Sequence, residues 1–387
     1  MTNLQKYTIA SVLRGSMWWM AVGPLYFMTR GLTMEQVYIM ISAFSVSMVI
    51  FEFPTGVVAD RFSHKKSVVW SGFLGAILQF AYIIPAGFYF YLIIFILVGL
   101  SSSMRSGSNV AVLHKISNNF QKDLSKVRTI NFIWISITTL VGGWLFTINI
   151  ILPYVLNGLS MLLAAILFNR IKVKNNFKKN NKSEFGNIYK IAGGSLKHLK
   201  RHKKLRGIVL VSSMFLATFF SYKYFLPVLF DVKNIPIIYL STVMSLSTIF
   251  LALGTALSST KYYIRLKYTI PLLLLLTLLL GFMNKIFTLA LVVWGIYFLR
   301  GMFSVRSTVL VNKYSKNAIR ASVMSLKSLT TRILMALYML LVGKILGFWS
   351  FEALSVITFS ILSVFVLYFM WTNVESRKLS LGKSVKD

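Results

Sequence analysis

The sequence predicts an all-α membrane protein with twelve transmembrane helices in two pseudo-symmetric six-helix bundles. Composition is the first observation behind this prediction, because 56% of the 387 residues are hydrophobic and only 13% are charged. Soluble domains keep about a quarter of their residues charged. The second observation is a set of twelve apolar stretches, each close to the ~20 residues that a helix needs to cross a bilayer. The third is a strongly basic segment between the sixth and seventh stretches.

The twelve predicted spans divide evenly around the basic segment. Their bounds, good to a few residues at each end, are 7–29, 36–59, 67–87, 89–112, 129–149, 151–169, 207–230, 236–258, 267–284, 286–310, 322–344 and 348–371. We therefore expect an N-terminal bundle in residues 1–169, a basic linker in residues 170–206, and a C-terminal bundle with a short tail in residues 207–387. The N-terminus lacks a small-residue cleavage site and predicts a first transmembrane helix, not a removed signal peptide.

The distribution of basic residues predicts the orientation in the membrane. The chain has 42 Lys and Arg and 9 Asp and Glu, a balance that suggests nucleic-acid binding in a soluble protein. Here 31 of the basic residues lie on the side of the N-terminus, linker and tail, and four lie on the other side. Because cytoplasmic loops carry the excess of Lys and Arg, we expect a multi-pass cytoplasmic-membrane protein with both termini and the linker in the cytosol, without a nucleic-acid partner. The linker could also bind anionic lipid headgroups.

A weak internal repeat supports two related halves. Three residues at the end of the first predicted helix recur 203 residues later at the end of the seventh: Pro24, Phe27 and Arg30 as Pro227, Phe230 and Lys233. Parallel repeats of this kind are common among transporters built from two similar bundles.

The side chains that carry most enzyme chemistry are scarce. The chain has no cysteine and four histidines, and no histidine spacing suggests a metal site. Neither a nucleotide-binding glycine loop nor a nucleophile with a matching base stands out. We therefore expect a protein that is not an enzyme and that carries no metal and no cofactor.

The loop after the second predicted helix carries the most specific motif. It reads EFPTGVVADRFSHKK over residues 52–66. With Gly56, Asp60, Arg61 and Lys65, this stretch resembles the signature of the major facilitator superfamily between helices two and three, although Ser63 stands where the family has glycine. The resemblance implies two bundles that rock around a central site, and it implies that these four matching residues form a conformational latch in the outward-facing state.

The chemistry of that loop is compatible with a latch. Helix eleven begins near Ser322 on the same side of the membrane as Asp60, and the positive end of its dipole would favour a carboxylate there. In the second half Ser258 stands where the aspartate should be, so we expect a one-sided latch. The alternative is that Asp60 and Arg61 only cap their own loop.

Glu52 is the only acidic residue deep inside a predicted span. It shares one helix face with Gly56 and Asp60, because the three are spaced by four residues. A rise of ~1.5 Å per residue places Glu52 about level with Lys327 and Arg332 on helix eleven. We expect Glu52 to pair with one of these two cations as a structural contact or gate; a proton-carrying role is the alternative.

Basic residues occur on all four helices that line the central cavity in this superfamily. They lie on helices one, four, seven and ten: Arg14, Arg105, Lys223, Arg300 and Arg306. Ionisable residues at membrane depth normally face the protein interior or a water-filled cavity, so we predict a substrate or gating role for them. The alternative is that those near helix ends extend to the interface. Asn109 on helix four is a further candidate ligand contact, or an interhelical hydrogen-bonding residue.

These observations predict a secondary active transporter that works by alternating access, with a small-molecule substrate held between the halves. A surplus of cations attracts anions, so we expect ion-coupled export of a small anionic or amphipathic organic solute by a monomer embedded in the lipid bilayer. The proton is the candidate coupling ion. The preference for export, as an antiporter, comes from the likeness of the motif to bacterial exporters of the superfamily. A hydrophobic-drug exporter, a lipid translocase, and a non-transporting immunity or receptor protein with the same fold are the alternatives.

Overall fold

The computed structural model describes residues 1–173, 202–258, 260, 264–315 and 320–381. Its regular structure consists of fourteen α-helices in these ranges: Asn3–Arg14 (α1), Gly23–Thr29 (α2), Met34–Phe62 (α3), His64–Ala81 (α4), Phe88–Arg105 (α5), Ser108–Ile116 (α6), Phe120–Ile148 (α7), Leu152–Asn169 (α8), Lys203–Val232 (α9), Ile237–Leu257 (α10), Leu266–Phe282 (α11), Ile286–Tyr314 (α12), Arg320–Phe348 (α13) and Phe351–Leu381 (α14). The all-α membrane fold predicted from the sequence is confirmed. Most of the predicted linker and the end of the tail lie outside the described residues.

Several helices begin at residues whose side chains satisfy free backbone N–H groups. Thr2 precedes α1 and accepts a hydrogen bond from the Gln5 N–H, while the Gln5 side chain accepts one from the Thr2 N–H. Thr33 and Gln36 form the same reciprocal pair at the start of α3. Such capping boxes fix the first turn of a helix.

Nine helical segments of the described chain are long and apolar enough to cross a membrane, with α5 and α6 together counted as one. The other predicted spans correspond to α4, to the 17-residue α11 and to the interrupted pair α1 and α2. A basic and polar first turn at His64–Lys66 makes α4 less apolar than its neighbours. The structure thus places a helix at every predicted span.

Two of the predicted continuous helices are broken, and each break directly follows an arginine. The predicted first helix ends as α1 at Arg14, and its second part begins only at Gly23 as α2. The predicted fourth helix ends as α5 at Arg105 and resumes as α6 after Gly107, which has φ +74°. Glycine adopts this left-handed conformation without the strain that a Cβ would bring. The apolar pattern had predicted no interruption at either point.

The two halves share backbone details that the internal repeat predicted only weakly. After α2, Gly31 has positive φ and the Leu32 N–H donates to the Phe27 carbonyl at 3.2 Å. After α9, 203 residues later, Asn234 has positive φ and the Ile235 N–H donates to the Phe230 carbonyl at 2.9 Å. Equivalent turns in corresponding places support two pseudo-symmetric halves.

The cations beside these turns have equivalent partners as well. Arg30 donates to the carbonyl of Ile83 at the end of α4, and Lys233 donates to the carbonyl of Gly281 at the end of α11. In each half the basic side chain therefore fastens the first long span to the third. The repeat is a structural one and not only a coincidence of residue types.

Among the described residues, the main contacts between the halves are made by three helix pairs: α3 with α13, α7 with α10, and α2 with α9. Ser42 on α3 donates to the Ala336 carbonyl at 3.0 Å, and Ser245 on α10 donates to the Ser136 carbonyl at 2.9 Å. Ser42 and Ser245 are also 203 residues apart. The interface between the halves is thus itself pseudo-symmetric.

Close contact at small residues fixes the break between α1 and α2. The Trp18 carbonyl oxygen lies 1.8 Å from the position that a Cβ on Gly142 of α7 would take. The Met17 N–H donates to Thr138, also on α7, at 3.2 Å. Helix α7 therefore acts as the support for the non-helical segment.

We expect Gly142→Ala to destabilise the protein, because the new methyl group would overlap backbone atoms of Trp18 that cannot move aside as a side chain can. Overpacking of this kind costs about 1–3 kcal/mol. The unfolding temperature in detergent measures the effect. Gly347→Ala on α13 is the matched control, because nothing lies within 4 Å of its new Cβ, and a stable Gly142→Ala variant would contradict the predicted contact.

Candidate functional site

A cavity of about 270 Å³ lies between the break after α1 and the helices around it. Its lining comes from α1 to α5, α7 and α8 of the N-terminal half and from α9 of the C-terminal half. Three of the predicted cations, Arg14, Arg105 and Lys223, are among the lining residues. The lining includes no aspartate and no glutamate. The cavity is therefore a positively charged compartment at the junction of the two halves.

Arg14 is the most deeply placed cation in this cavity. It is the last residue of α1 and is 7% exposed. Its Nη2 donates to the Ser101 hydroxyl on α5 at 3.3 Å, whereas its Nε has no hydrogen-bond partner. The carbonyl groups at the end of α1 stabilise a cation at this position through the helix dipole. Arg14 thus keeps unused donor capacity in a compartment without carboxylates.

Arg105 repeats this arrangement at the end of α5. It is the last residue of that helix, and its Nε also lacks a hydrogen-bond partner. The break that follows at Ser106 and Gly107 places the arginine at a free C-terminal helix end. Two interrupted helices therefore supply two guanidinium groups to one cavity, an arrangement that is typical of ion and substrate sites in transporters.

Lys223 brings the C-terminal half to the cavity. Its Nζ lies 4.7 Å from the ring centre of Tyr224 and 5.7 Å from that of Trp19. Trp19 from the α1–α2 break stacks on Tyr224 with ring centres 6.2 Å apart. A cation above two aromatic faces is attracted by their ring quadrupoles. This cluster joins the N-terminal half to the C-terminal half at the cavity.

Two polar residues in the lining were missed by reasoning from the sequence. Gln79 on α4 and Asn131 on α7 line the cavity, and the side-chain oxygen of each is buried without a hydrogen-bond partner. The Asn131 oxygen lies against Gly15, 2.0 Å from where a Cβ would be. Their polarity within apolar spans was the available signal. They offer hydrogen-bonding groups beside the cations.

The two cations predicted on helix ten lie elsewhere. Arg300 donates to the Phe219 carbonyl at 3.2 Å and lies over the Phe220 ring at 4.7 Å, so it joins α12 to α9. Arg306 donates to the Ser258 carbonyl at the end of α10. Neither residue belongs to the lining of the cavity. In this conformation both cations are bound to backbone carbonyl groups of the C-terminal half.

Asn109 is also outside the cavity lining. It lies on α6, its backbone carbonyl accepts a hydrogen bond from the Tyr7 hydroxyl at 2.9 Å, and its side-chain oxygen is buried without a partner. The contact between Asn109 and Tyr7 joins α6 to α1 on the linker side of the cavity. A role for the Asn109 side chain toward a ligand stays a prediction.

Glu52 forms an ion pair with Arg332, one of the two partners expected from its depth. The pair joins α3 to α13 and so crosses between the halves. Lys327 instead turns into the C-terminal half, where its Nζ lies 3.3 Å from the Ser307 hydroxyl and 3.4 Å from that of Thr308. Lys327 is 4% exposed, which makes it a buried cation held by neutral oxygens of α12.

The motif residues lie at the exposed linker end of α3. Asp60 is 71% exposed, and its carboxylate is 3.4 Å from His64 at the start of α4. Gly56 and Arg61 are also exposed, and Lys65 is half-buried on α4. A Cβ on Gly56 would meet nothing within 4 Å. Among the described residues, neither Gly56 nor Asp60 makes the close contact with α13 that a latch needs, and the latch stays a prediction.

The sequence model of the Major Facilitator Superfamily matches residues 7–308. The chain belongs to the Major Facilitator Superfamily. The resemblance carried by residues 52–66 is thereby confirmed. Membership identifies a multi-pass membrane protein with the fold of a transporter.

Relatives and solved structures place the chain within this superfamily. It is 26% identical over 202 residues to the uncharacterized MFS-type transporter YxaM of Bacillus subtilis (strain 168), a match over 50% of this chain and about half (49%) of that relative's length. The nucleoside transporter NupG has a TM-score of 0.79 at 18% identity, with 96% of this chain and 99% of that chain covered. A bacterial homolog of the human lysosomal transporter Spinster, inward-facing and unoccupied, has a TM-score of 0.71 at 12% identity, with coverage of 96% and 95%. These likenesses concern the fold.

Proposed function

We propose that this member of the superfamily is a secondary active transporter that works by alternating access and carries a small anionic or amphipathic organic solute in the cavity described above. The observation behind this proposal is the convergence of three cations on about 270 Å³ without a carboxylate in the lining. An uncompensated positive compartment attracts anions and repels cations. The solute would neutralise Arg14, Arg105 and Lys223 in place of a protein carboxylate.

The partly unsatisfied donors of the two arginines support an anionic group at the N-terminal side of the cavity. Each has a buried Nε without a partner, and buried polar groups are normally hydrogen-bonded. A guanidinium group recognises carboxylate or phosphate oxygens through parallel hydrogen bonds. A carboxylate or phosphate at Arg14 and Arg105 would therefore satisfy donors that the protein itself leaves free.

The aromatic lining supports an apolar part in the same solute. Phe27, Tyr82, Phe95 and Tyr154 line the cavity on the side of α2, α5 and α8. Ligand pockets combine such apolar walls with a few placed polar groups. The same rings favour a second candidate, a hydrophobic-drug exporter, which would use the aromatic faces and leave the cations without a direct role.

The contacts between the halves support alternating access. Trp19 and Tyr224 stack across the two halves at the cavity, while Gly56 and Asp60 at the linker end are exposed. We propose that the opposite conformation brings Asp60 to the start of α13 and forms the latch, and that the Glu52–Arg332 pair is rearranged in the exchange. In this proposal Glu52 is a gate, and a proton-carrying role is the alternative. The proposal also includes export as the direction, a location in the cytoplasmic membrane, and a linker end that faces the cytosol.

Proteoliposomes that contain the purified protein test the substrate class. A panel of labelled aromatic carboxylates, phosphate monoesters, nucleosides and lipophilic cations is offered with and without a pH gradient. We expect transport of anionic members and none of lipophilic cations, because the cavity potential is positive. Protein-free vesicles and vesicles with the Lys223→Leu variant are the controls, and the variant should lose part of the anion transport.

Other outcomes separate the alternatives. Transport of lipophilic cations without anions would contradict the charge argument and favour the hydrophobic-drug exporter. Movement of fluorescent phospholipid between leaflets would favour a lipid translocase. Binding of a panel member without transport of any would favour a receptor or immunity protein that keeps the fold.

A further inference from the structure

A second concave region lies on the outer surface of the N-terminal half, at the linker end. This cleft runs between the start of α4 and the end of α8 and measures about 790 Å³. Its lining includes four basic side chains: Lys65, Lys66, Arg170 and Lys172. Its described lining includes no acidic residue and shares no residue with the central cavity. The cleft is thus a separate concentration of positive charge.

The backbone that carries these cations is fixed in place. Ile171 lies in a buried apolar cluster with Tyr7 and Phe168. Next to it, the Asn3 side chain donates to the Lys172 carbonyl at 2.9 Å and accepts from the Lys172 N–H at 3.2 Å. The segment after α8 is therefore tied to α1 by both apolar and polar contacts. The cleft is a built feature and not a gap beside a loose loop end.

The apolar surroundings of the cleft indicate a lipid as its occupant. Trp70 lines the cleft and is 63% exposed, and Phe73 lies beside it. From there the exposed side chains of Ile77 on α4 and of Leu163 and Ile166 on α8 continue along the outer surface. Tryptophan is enriched at the membrane–water interface, where its ring lies at headgroup level. A soluble anion would use the cations but not this apolar track.

We propose that this cleft binds the headgroup of an anionic phospholipid, with the acyl chains along α4 and α8. The lysine and arginine side chains bind the phosphate and any further headgroup charge, and Trp70 lies at the glycerol level. Binding of this kind combines charge attraction to anionic lipid with apolar contact. The site neither requires nor contributes to the central cavity, so it does not depend on the nature of the transported solute.

The test is lipid binding by the full-length protein in detergent, measured by native mass spectrometry during titration with phosphatidylglycerol and, separately, phosphatidylcholine. The double variant Lys66→Gln with Lys172→Gln removes two cations of the cleft. We expect roughly tenfold to thirtyfold weaker binding of phosphatidylglycerol, from the attraction that each cation contributes to anionic lipid. Binding of phosphatidylcholine should change little.

A double variant with the same charge change outside the cleft provides the matched control. Lys122 and Lys126 are exposed on α7 at the linker end, and Lys122→Gln with Lys126→Gln should bind phosphatidylglycerol as the parent protein does. Equal losses in both double variants, or none in the cleft variant, would overturn the proposal. Displacement by soluble glycerol 3-phosphate as effectively as by the lipid would also overturn it. Size-exclusion profiles and unfolding temperatures show that each variant is folded, and Trp70→Gln should weaken lipid binding independently of charge.

Discussion

Arg14→Met is expected to weaken the binding of anionic solutes strongly while leaving the protein as stable as before or more stable. Arg14 is buried, donates only to Ser101 among its described contacts, and lies in a cavity without carboxylates. Hydrogen bonds to charged groups contribute about 1.5–3 kcal/mol, so the loss should be about 10- to 100-fold in affinity. Replacing a buried charge by an apolar side chain of similar size is often neutral or stabilising.

Equilibrium binding of the anionic solute identified in proteoliposomes measures this effect, together with the unfolding temperature of the same preparation. Arg14→Lys keeps the charge but not the planar group of donors, and its affinity for the solute should fall between those of the parent protein and Arg14→Met. Arg128→Met removes an exposed arginine of α7 outside the cavity and should bind normally. Undiminished binding by Arg14→Met would disprove the assignment of the cavity as an anion site, whereas weak binding with a lower unfolding temperature would indicate a structural role for Arg14.

The fold could be predicted from the sequence because a membrane-spanning helix must be apolar over about the thickness of the bilayer. Apolar length places a helix at every predicted span, and residues 52–66 identify the superfamily. The breaks after Arg14 and Arg105 were not predicted, because each lies within a longer, mainly apolar stretch that suggested a continuous helix. One break contains Gly107 with its positive φ, a local feature, and the other is held by the tertiary contact of Trp18 with Gly142.

Part of the candidate site could also be predicted, because the regular rise of a helix fixes how deep each residue lies in the membrane. Depth along a helix follows from counting residues, which placed Glu52 level with two possible partners. The choice of Arg332 over Lys327 depends on how α13 is rotated about its axis, and Lys327 faces α12 instead. Arg300 and Arg306 lie outside the cavity lining because no residue of α12 contributes to it, although that helix was expected to do so. Gln79 and Asn131 were missed because neutral polar residues in a span are usually interhelical contacts.

Exchanging the charges of Glu52 and Arg332 should restore the stability that either single substitution removes. The described contacts of Ser42 with Ala336, and of Tyr38 with Gly343, join α3 and α13 through neutral atoms, whereas Glu52 and Arg332 join them through opposite charges. Glu52→Ala or Arg332→Ala leaves one charge unpaired at membrane depth. Because Glu52 is 26% and Arg332 18% exposed, we expect a loss of about 1–3 kcal/mol for each, below the value for fully buried pairs.

The coupling energy from a double-mutant cycle separates the pair from the two side chains taken singly. Unfolding temperatures measure the change in stability of each variant. Distances between spin labels at Ser125→Cys on α7 and Lys313→Cys on α12 report the opening of the linker end. Because the natural sequence has no cysteine, these labels attach only at the chosen positions. Each single substitution should broaden the distance distribution, and the exchanged pair should narrow it again. Lys344 is an exposed cation on α13, the helix that carries Arg332. Lys344→Gln should change neither the unfolding temperature nor the distance distribution. Additive effects of the two single substitutions would show that the ion pair does not hold the halves together.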